Sequence, residues 1–291
     1  MRHVAALLRP GGSTARLRGL RGPAWSVERA DLADLPVVRV LLRRLRPRAV
    51  LHLAIDDAVY RQGPGPATEA VNPLEALFEG IADVPGARFV HTGSAWVLRP
   101  GEGLDESAPL EPRSPYSLHK AHEDRLVPEL ARRTAVPFIN LRLFNIFGRH
   151  EQPTRLLPYL VSSLAAGRVA KLSHGEQVRD FNDVDTIAKA YLRALTAPDD
   201  ACDTVYHVGS GRATTVRDFA RMVAEVMGNE HLIRFHGSAT PDQDMACLVA
   251  DPTRARQQLG WSPDRDLRQS VQRAARWWLA RLHTIEREVA S

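Results

Sequence analysis

RFVHTGSAWVLRPGEGLDESAPLEPRSPYSLHKAHEDRL, residues 88–126, decides how the rest of the chain is read. RFVHTG at 88–93 is a short apolar run that ends in Thr92, Gly93 and Ser94. Such a run predicts a strand that delivers hydroxyls at its C-terminal end, where open α/β sheets bind ligands. Ser114 and Pro115 suit the N-cap and first turn of a helix. On that helix Tyr116 and Lys120 stand at i and i+4, on one face. A phenol ionises near pH 10 in water, and a neighbouring ammonium lowers that value by favouring the phenolate. Tyr116 thereby becomes a usable general acid or base. Ser94 lies 22 residues earlier, across the loop RPGEGLDESAPLEPRS, and its hydroxyl can share a substrate oxygen with Tyr116.

Working outward, strands alternate with helical patterns. VAALL at 4–8, WSVER at 25–29, AVLHLA at 49–54 and PFINLRLF at 137–144 read as strands, with helices near 36–46 and 69–82. That alternation predicts a parallel sheet of βαβ units. After Gly148 come a helix near 155–166, a strand at 169–172, a helix near 183–196 and the strand TVYHVG at 204–209. Thr215 and Asp218 form a capping-box pattern opening a helix that ends at Gly228, and a last amphipathic helix carries Trp277 and Trp278 as core residues. The expected fold is α/β: a doubly wound, Rossmann-like parallel sheet with a smaller C-terminal α/β substrate lobe. The expected division is 1–148, with 183–209 returning to it, against 149–182 and 210–291.

The chain has 291 residues with a net charge of +5. Of its 39 basic residues three are lysines (Lys120, Lys171, Lys189), leaving 36 arginines, so a retained lysine stands out. The arginines are scattered, and the densest run, LLRRLRPR at 41–48, reads as a solvated helix face; no nucleic-acid-binding signature is present. No stretch approaches the roughly 18–20 apolar residues of a membrane span, so a soluble, cytoplasmic protein is expected. Cys202 and Cys247 are too few for a disulfide framework and read as small, buried or half-buried residues. His91, His119 and His122 lie near the proposed site without acidic partners at metal spacing, so no metal is expected, and His119 and His122 are expected to face solvent.

The segment 88–126 resembles the active-site segment of the extended short-chain dehydrogenases/reductases, the NAD-dependent epimerase/dehydratase family of nucleotide-sugar type. VLHLAI (50–55), LRLFNIFG (141–148), GEQVRDFNDVDTIAKAY (175–191), YHVGSG (206–211) and VADPTRARQQLGWSP (249–263) are similar in order, so the resemblance covers nearly the whole chain. It implies Ser94, Tyr116 and Lys120 as a catalytic triad around a nicotinamide ring. It also implies NAD or NADP as cofactor, lying along Asp31, Leu32, Leu53, Ala54 and Asn72. Asn145 and Arg179 would stand near substrate phosphates, although Arg179 also reads as a surface ion pair with Asp180 or Asp183. Arg9 would meet a 2′-phosphate or serve as a solvated turn residue. The substrate would be a small molecule, anionic in character, such as a nucleotide sugar or a natural-product intermediate. Family members often pair through the tyrosine-bearing helix, so a homodimer is expected.

Two departures stand beside the resemblance. The family's opening strand, glycine-rich turn (GxxGxxG) and helix are lacking: Gly11 and Gly12 are not followed at the needed spacing, and VAALL reads as the family's second strand. Near the C-terminus, Thr240 and Pro241 stand where nucleotide-sugar enzymes commonly carry a phosphate-clamping Arg, while Asp244 remains. After Ser94 come Ala95 and Trp96 rather than an acidic residue, which favours epimerisation or carbonyl reduction over dehydration. Three readings follow: an NAD(P)-dependent epimerase or ketoreductase; a non-redox isomerase, cyclase or lyase on the same fold; and a non-catalytic binding protein.

Overall fold

The computed structural model describes residues 3–17, 19–20, 22, 24–55, 73–236, 245–264 and 266–290, with side chains as far as 282. Its centre is a four-stranded parallel sheet in the order Thr204–Val208, Phe138–Leu143, Arg88–Ser94, Ala49–His52. Phe138–Leu143 is buried for all but its last residue, although Asn140 and Arg142 alternate with its apolar side chains, because both of those polar groups donate to Asp124. Helices Leu35–Leu45, Pro73–Ile81 and Pro115–Thr134 contribute to one core with Phe89 and Phe138. Pro128 sits inside the last of these helices. Helix Leu35–Leu45 starts where Asp34 accepts a hydrogen bond from the Val37 amide, and stops at Arg46 in the left-handed conformation. Its leucines face inward while Arg43 and Arg44 face solvent, as the arginine-rich run implied.

Val4–Leu8 and Trp25–Arg29 pair in parallel as a separate two-stranded sheet. Leu7, Leu32 and Val50 nevertheless pack against the same core, so the two sheets share an interior.

A second, mixed sheet runs Thr214–Thr215, Val178–Arg179, Cys247–Ala250, Gly101–Leu104. Gly101–Leu104 falls in a segment expected to be loop. Two glycines deprive it of strand propensity, and its pairing with Cys247–Ala250 supplies what the local sequence lacks. Helices Leu156–Ala165, Val216–Met227 and Leu267–Ala290 enclose a further core with Phe147, Phe181 and Phe219, the last two stacked at 4.0 Å. Thr215 caps the middle helix, its hydroxyl accepting from the Asp218 amide at 2.9 Å, and Gly228 ends it at φ +68°. Trp277 and Trp278 lie in this core, and the Trp278 indole donates to the Gly148 carbonyl at 2.9 Å. Both cysteines are free, Cys202 buried and Cys247 half-buried. No described helix is long and apolar enough to cross a membrane.

The two sheets meet at Asp180, which is fully buried. Its Oδ1 accepts from the Ser210 amide (2.7 Å), the Ser210 hydroxyl (2.5 Å) and the Asn182 amide group (3.0 Å). Its Oδ2 accepts from the amides of Gly211 (2.9 Å) and Ala250 (3.2 Å). Three motifs singled out in the sequence, at 175–191, 206–211 and 249–263, thus converge on one carboxylate. Gly209 must be glycine because a Cβ there would lie 2.6 Å from both Asp180 Oδ2 and the Ala250 Cβ. Asp180→Ala strands buried donors and is expected to cost about 3 kcal/mol or more, with Asp180→Asn losing less, as read from urea unfolding midpoints.

Candidate active site

The site is built where strand Arg88–Ser94 ends against helix Pro115–Thr134. A reciprocal cap starts the helix. The Ser114 hydroxyl accepts from the Ser117 amide at 3.1 Å, and the Ser117 hydroxyl accepts from the amides of Ser114 (2.8 Å) and Arg113 (2.9 Å). The helix is then pinned by Asp124, whose carboxylate accepts from the Asn140 amide group (2.6 Å) and from Arg142 Nε (2.8 Å) on the neighbouring strand. Gly93 lies against that clamp: a Cβ there would come within 2.4 Å of Asn140 Oδ1.

Pinned in this way, the helix turns Lys120 inward. Its side chain is 4% exposed, and Nζ donates to the Thr92 carbonyl at 2.9 Å and to Glu123 Oε2 at 2.8 Å. Tyr116, half-buried, lies one turn earlier on the same face. Tyr191 reaches the same place from helix Val184–Leu195, sharing a 2.7 Å hydrogen bond with the Thr92 hydroxyl. Burial raises the Tyr191 phenol pKa, more than the Thr92 hydrogen bond lowers it, and the neighbouring Tyr116 adds to the rise. Ser94 is buried at the strand end, and its Oγ accepts from the Trp96 amide at 3.3 Å. The Arg179 guanidinium sits 5.5 Å from the centre of the Trp96 ring and donates to the Val178 carbonyl. It is 4% exposed, which corrects the surface reading of this residue. Asn145 is half-buried, and its carbonyl accepts from the Asn182 amide.

The remaining expected positions are spread along the sheet edge. Leu53 (60% exposed) and Ala54 follow strand Ala49–His52 directly and are open. Asp31 is exposed, with Oδ1 accepting from the Ala33 amide, while Leu32 packs against the core. Arg9 is exposed at the end of Val4–Leu8. Asn72, Thr240, Pro241 and Asp244 lie outside the described residues.

One cluster escaped the sequence reading. Glu123 is buried and meets Lys120, His119 Nε2 (3.3 Å) and His91 Nε2 (3.6 Å). His119 therefore turns toward Glu123 instead of facing solvent, whereas His122 is exposed as expected. Behind His91, the His52 ring stacks on it with Nδ1 to Nδ1 at 3.3 Å. The spacing of His119 and Glu123, i and i+4, was visible; the burial of Glu123 was not. Among the described residues, no group of three or more His, Cys, Asp or Glu could hold a metal ion.

Residues 3–209 match the model of the NAD dependent epimerase/dehydratase family, and the chain belongs to that family. It is 28% identical to a UDP-glucose 4-epimerase of Neisseria meningitidis serogroup C, over 90% of this chain and 84% of that one. It is 27% identical to a dTDP-glucose 4,6-dehydratase of Escherichia coli, over 88% and 80%. Among solved structures, the UDP-glucose 4-epimerase of Thermotoga maritima with UDP-glucose superposes with a TM-score of 0.82 at 20% identity, over 95% of this chain and 91% of that one. The dTDP-glucose 4,6-dehydratase of Streptomyces venezuelae with NAD bound gives 0.82 at 24% identity, over 96% and 88%. The fold is the Rossmann-like α/β fold of these enzymes.

Burial lowers the His52 pKa to about 4, against an opposing pull from Glu123, and puts His91 below its usual range in the same way. Burial also lowers His207 to about 4. These rings are neutral when folded and take up protons on unfolding, so the unfolded chain binds more protons between pH 6.5 and 4 and stability falls as pH falls through that window. His52 contributes a loss of about 3 kcal/mol across it. Comparing unfolding midpoints at pH 7 and pH 5, the His52→Asn variant is expected to lose less stability on acidification than the unsubstituted chain.

Proposed function

We propose that the chain is an NAD(P)-dependent epimerase or ketoreductase acting on a sugar or nucleotide-sugar-like substrate. The observation that carries this reading is the alignment of Tyr116 and Lys120 on one helix face. Lys120 Nζ lies 2.9 Å from the carbonyl of Thr92, two residues before Ser94. Tyr116 would move a proton to or from a substrate oxygen, and Ser94 would orient that oxygen. Asn145 and Arg179 would hold the anionic part of the substrate, with Trp96 backing the guanidinium. The absence of a carboxylate at Ala95 and Trp96 supports epimerisation or reduction over dehydration. Epimerases and dehydratases occur among the relatives, whose names point to nucleotide-sugar substrates.

The donor set at the strand end, the Lys120 ammonium, the Ser94 hydroxyl and the Tyr116 phenol, fits the ribose and ring of a nicotinamide. Asp31, Leu32, Leu53, Ala54 and Asn72 would hold the rest of the dinucleotide, with Arg9 toward a 2′-phosphate. When bound, the nicotinamide supplies hydride transfer. The expected lobe division, 1–148 with 183–209 against 149–182 and 210–291, places the substrate between the two parts, and a homodimer through the tyrosine-bearing helix belongs to the same proposal.

One observation favours a second reading, a non-redox isomerase, cyclase or lyase. Helix Leu35–Leu45 begins at Asp34, whose carboxylate accepts from the Val37 amide and disfavours a phosphate at that helix end. Titration with NAD+, NADH, NADP+ and NADPH separates the readings. Binding tighter than about 10 μM, about −7 kcal/mol, supports the first; no binding sinks it. With UDP- and dTDP-sugars as substrates, Tyr116→Phe is expected to lower turnover by about 100-fold or more while leaving the unfolding midpoint unchanged.

A further inference from the structure

We propose that the turn 148–151, the loop at Arg16 and the last helix at Arg281 together form a phosphate-binding site, which takes a phosphate dianion, free or as part of a nucleotide diphosphate. None of the residues that build it belongs to the catalytic or substrate set above, so it stands whatever reaction Tyr116 serves.

The site is arranged around one imidazole. His150 follows strand Ile146–Phe147 and takes φ +61°, a left-handed conformation that a non-glycine residue keeps only when its surroundings enforce it. The bend lays its ring on Trp277, with centroids 4.6 Å apart and planes at 58°. Trp277 is half-buried on helix Leu267–Ala290, and Arg281 stands one turn later on the same face. Arg149, beside His150 in the chain, is exposed and pairs with Asp185 at 2.6 Å. From near the start of the chain comes Arg16, exposed on the short 3-10 helix Ala15–Leu17. Burial lowers the His150 pKa, and the charges of Arg16, Arg149 and Arg281 each lower it further, so three guanidinium groups act on one ring.

The charges gathered there are not balanced. Arg149 is matched by Asp185, but among the described residues neither Arg16 nor Arg281 has an ion-pair partner. The carboxylates on neighbouring elements are already engaged. Asp183 and Asp264 share Arg273, one turn before Trp277 on the last helix, and Asp264 also meets Lys189 at 3.7 Å. Glu151 accepts from the Gly148 amide, and burial pushes its pKa up to about 7, so it is a weak counter-charge at neutral pH. Two unmatched guanidinium groups call for a doubly charged anion, and their forked N–H donors suit phosphate oxygens. A single carboxylate would leave one arginine unanswered.

Calorimetric titration of the full chain with inorganic phosphate and with pyrophosphate, at constant ionic strength, is the test. Saturable binding at about 1 mM or tighter is expected. Arg16→Gln and Arg281→Gln are each expected to weaken it by about fivefold or more, and the double variant to abolish it. Both side chains are exposed, so the variants are expected to keep their unfolding midpoints. The imidazole proton signal of His150, identified by its loss in His150→Asn, is expected to move in step with the binding. Titrations with UDP-glucose and with NAD+ name the source. If the two variants weaken one of these in parallel with phosphate, the site holds that ligand's diphosphate; if they do not, it holds a free phosphate. No saturable binding of phosphate or pyrophosphate, an unmoved His150 signal, or an affinity that survives both substitutions would overturn the proposal.

Discussion

A carboxylate taken fully out of water must be repaid by hydrogen bonds, and Asp180 collects them from Asn182, Ser210, Gly211 and Ala250. These donors come from segments far apart in the chain, so their positions are mutually dependent. The turn after strand Thr204–Val208, the start of helix Val184–Leu195 and the end of strand Cys247–Ala250 are set by one atom group. The substrate-side residues Arg179 and Asn145 inherit their places from this knot. Arg179 precedes Asp180 directly, and Asn145 is tied by its carbonyl to Asn182. The mixed sheet carrying Arg179 also contains Gly101–Leu104, which leads away from Trp96 and so brings indole and guanidinium together.

A second buried carboxylate, Asp124, performs a comparable task for the tyrosine-bearing helix. Its clamp on Asn140 and Arg142 fixes the helix rotation, and rotation decides which residues face the strand end. With Asp124 bound to the sheet, Lys120 and Glu123 are committed to the interior. Their neighbour His122 is left in solvent. The helix is weakly amphipathic in sequence because its inward face is itself charged, which is the reverse of the usual pattern for a core helix.

Much of this was legible beforehand. Strand ends, caps and helix stops followed from local chemistry: Ser114 and Thr215 cap where their hydroxyls can reach an amide, and Gly228 stops a helix because it tolerates positive φ. Tyr116 and Lys120 could be singled out because they stand at i and i+4, and Ser94 because it ends a strand. What escaped was produced by tertiary contact. Gly101–Leu104 is a strand only because Cys247–Ala250 lies beside it, 146 residues away between Cys247 Sγ and the Gly101 carbonyl. Glu123 carries no local signal that separates it from the other acids of its helix, and its burial follows from the helix rotation that the Asp124 clamp fixes. Arg179 read as an anion clamp or a surface ion pair, and its burial beside Trp96 could not be seen before the fold.

The two stacked imidazoles behind the site carry a further meaning. With Nδ1 facing Nδ1 at 3.3 Å, one ring must present its hydrogen and the other its lone pair. The tautomers of the two neutral rings are therefore coupled: whichever nitrogen of His91 carries its hydrogen decides which nitrogen of His52 does. A change of tautomer on one strand is matched on its neighbour, with no charge moving through the core.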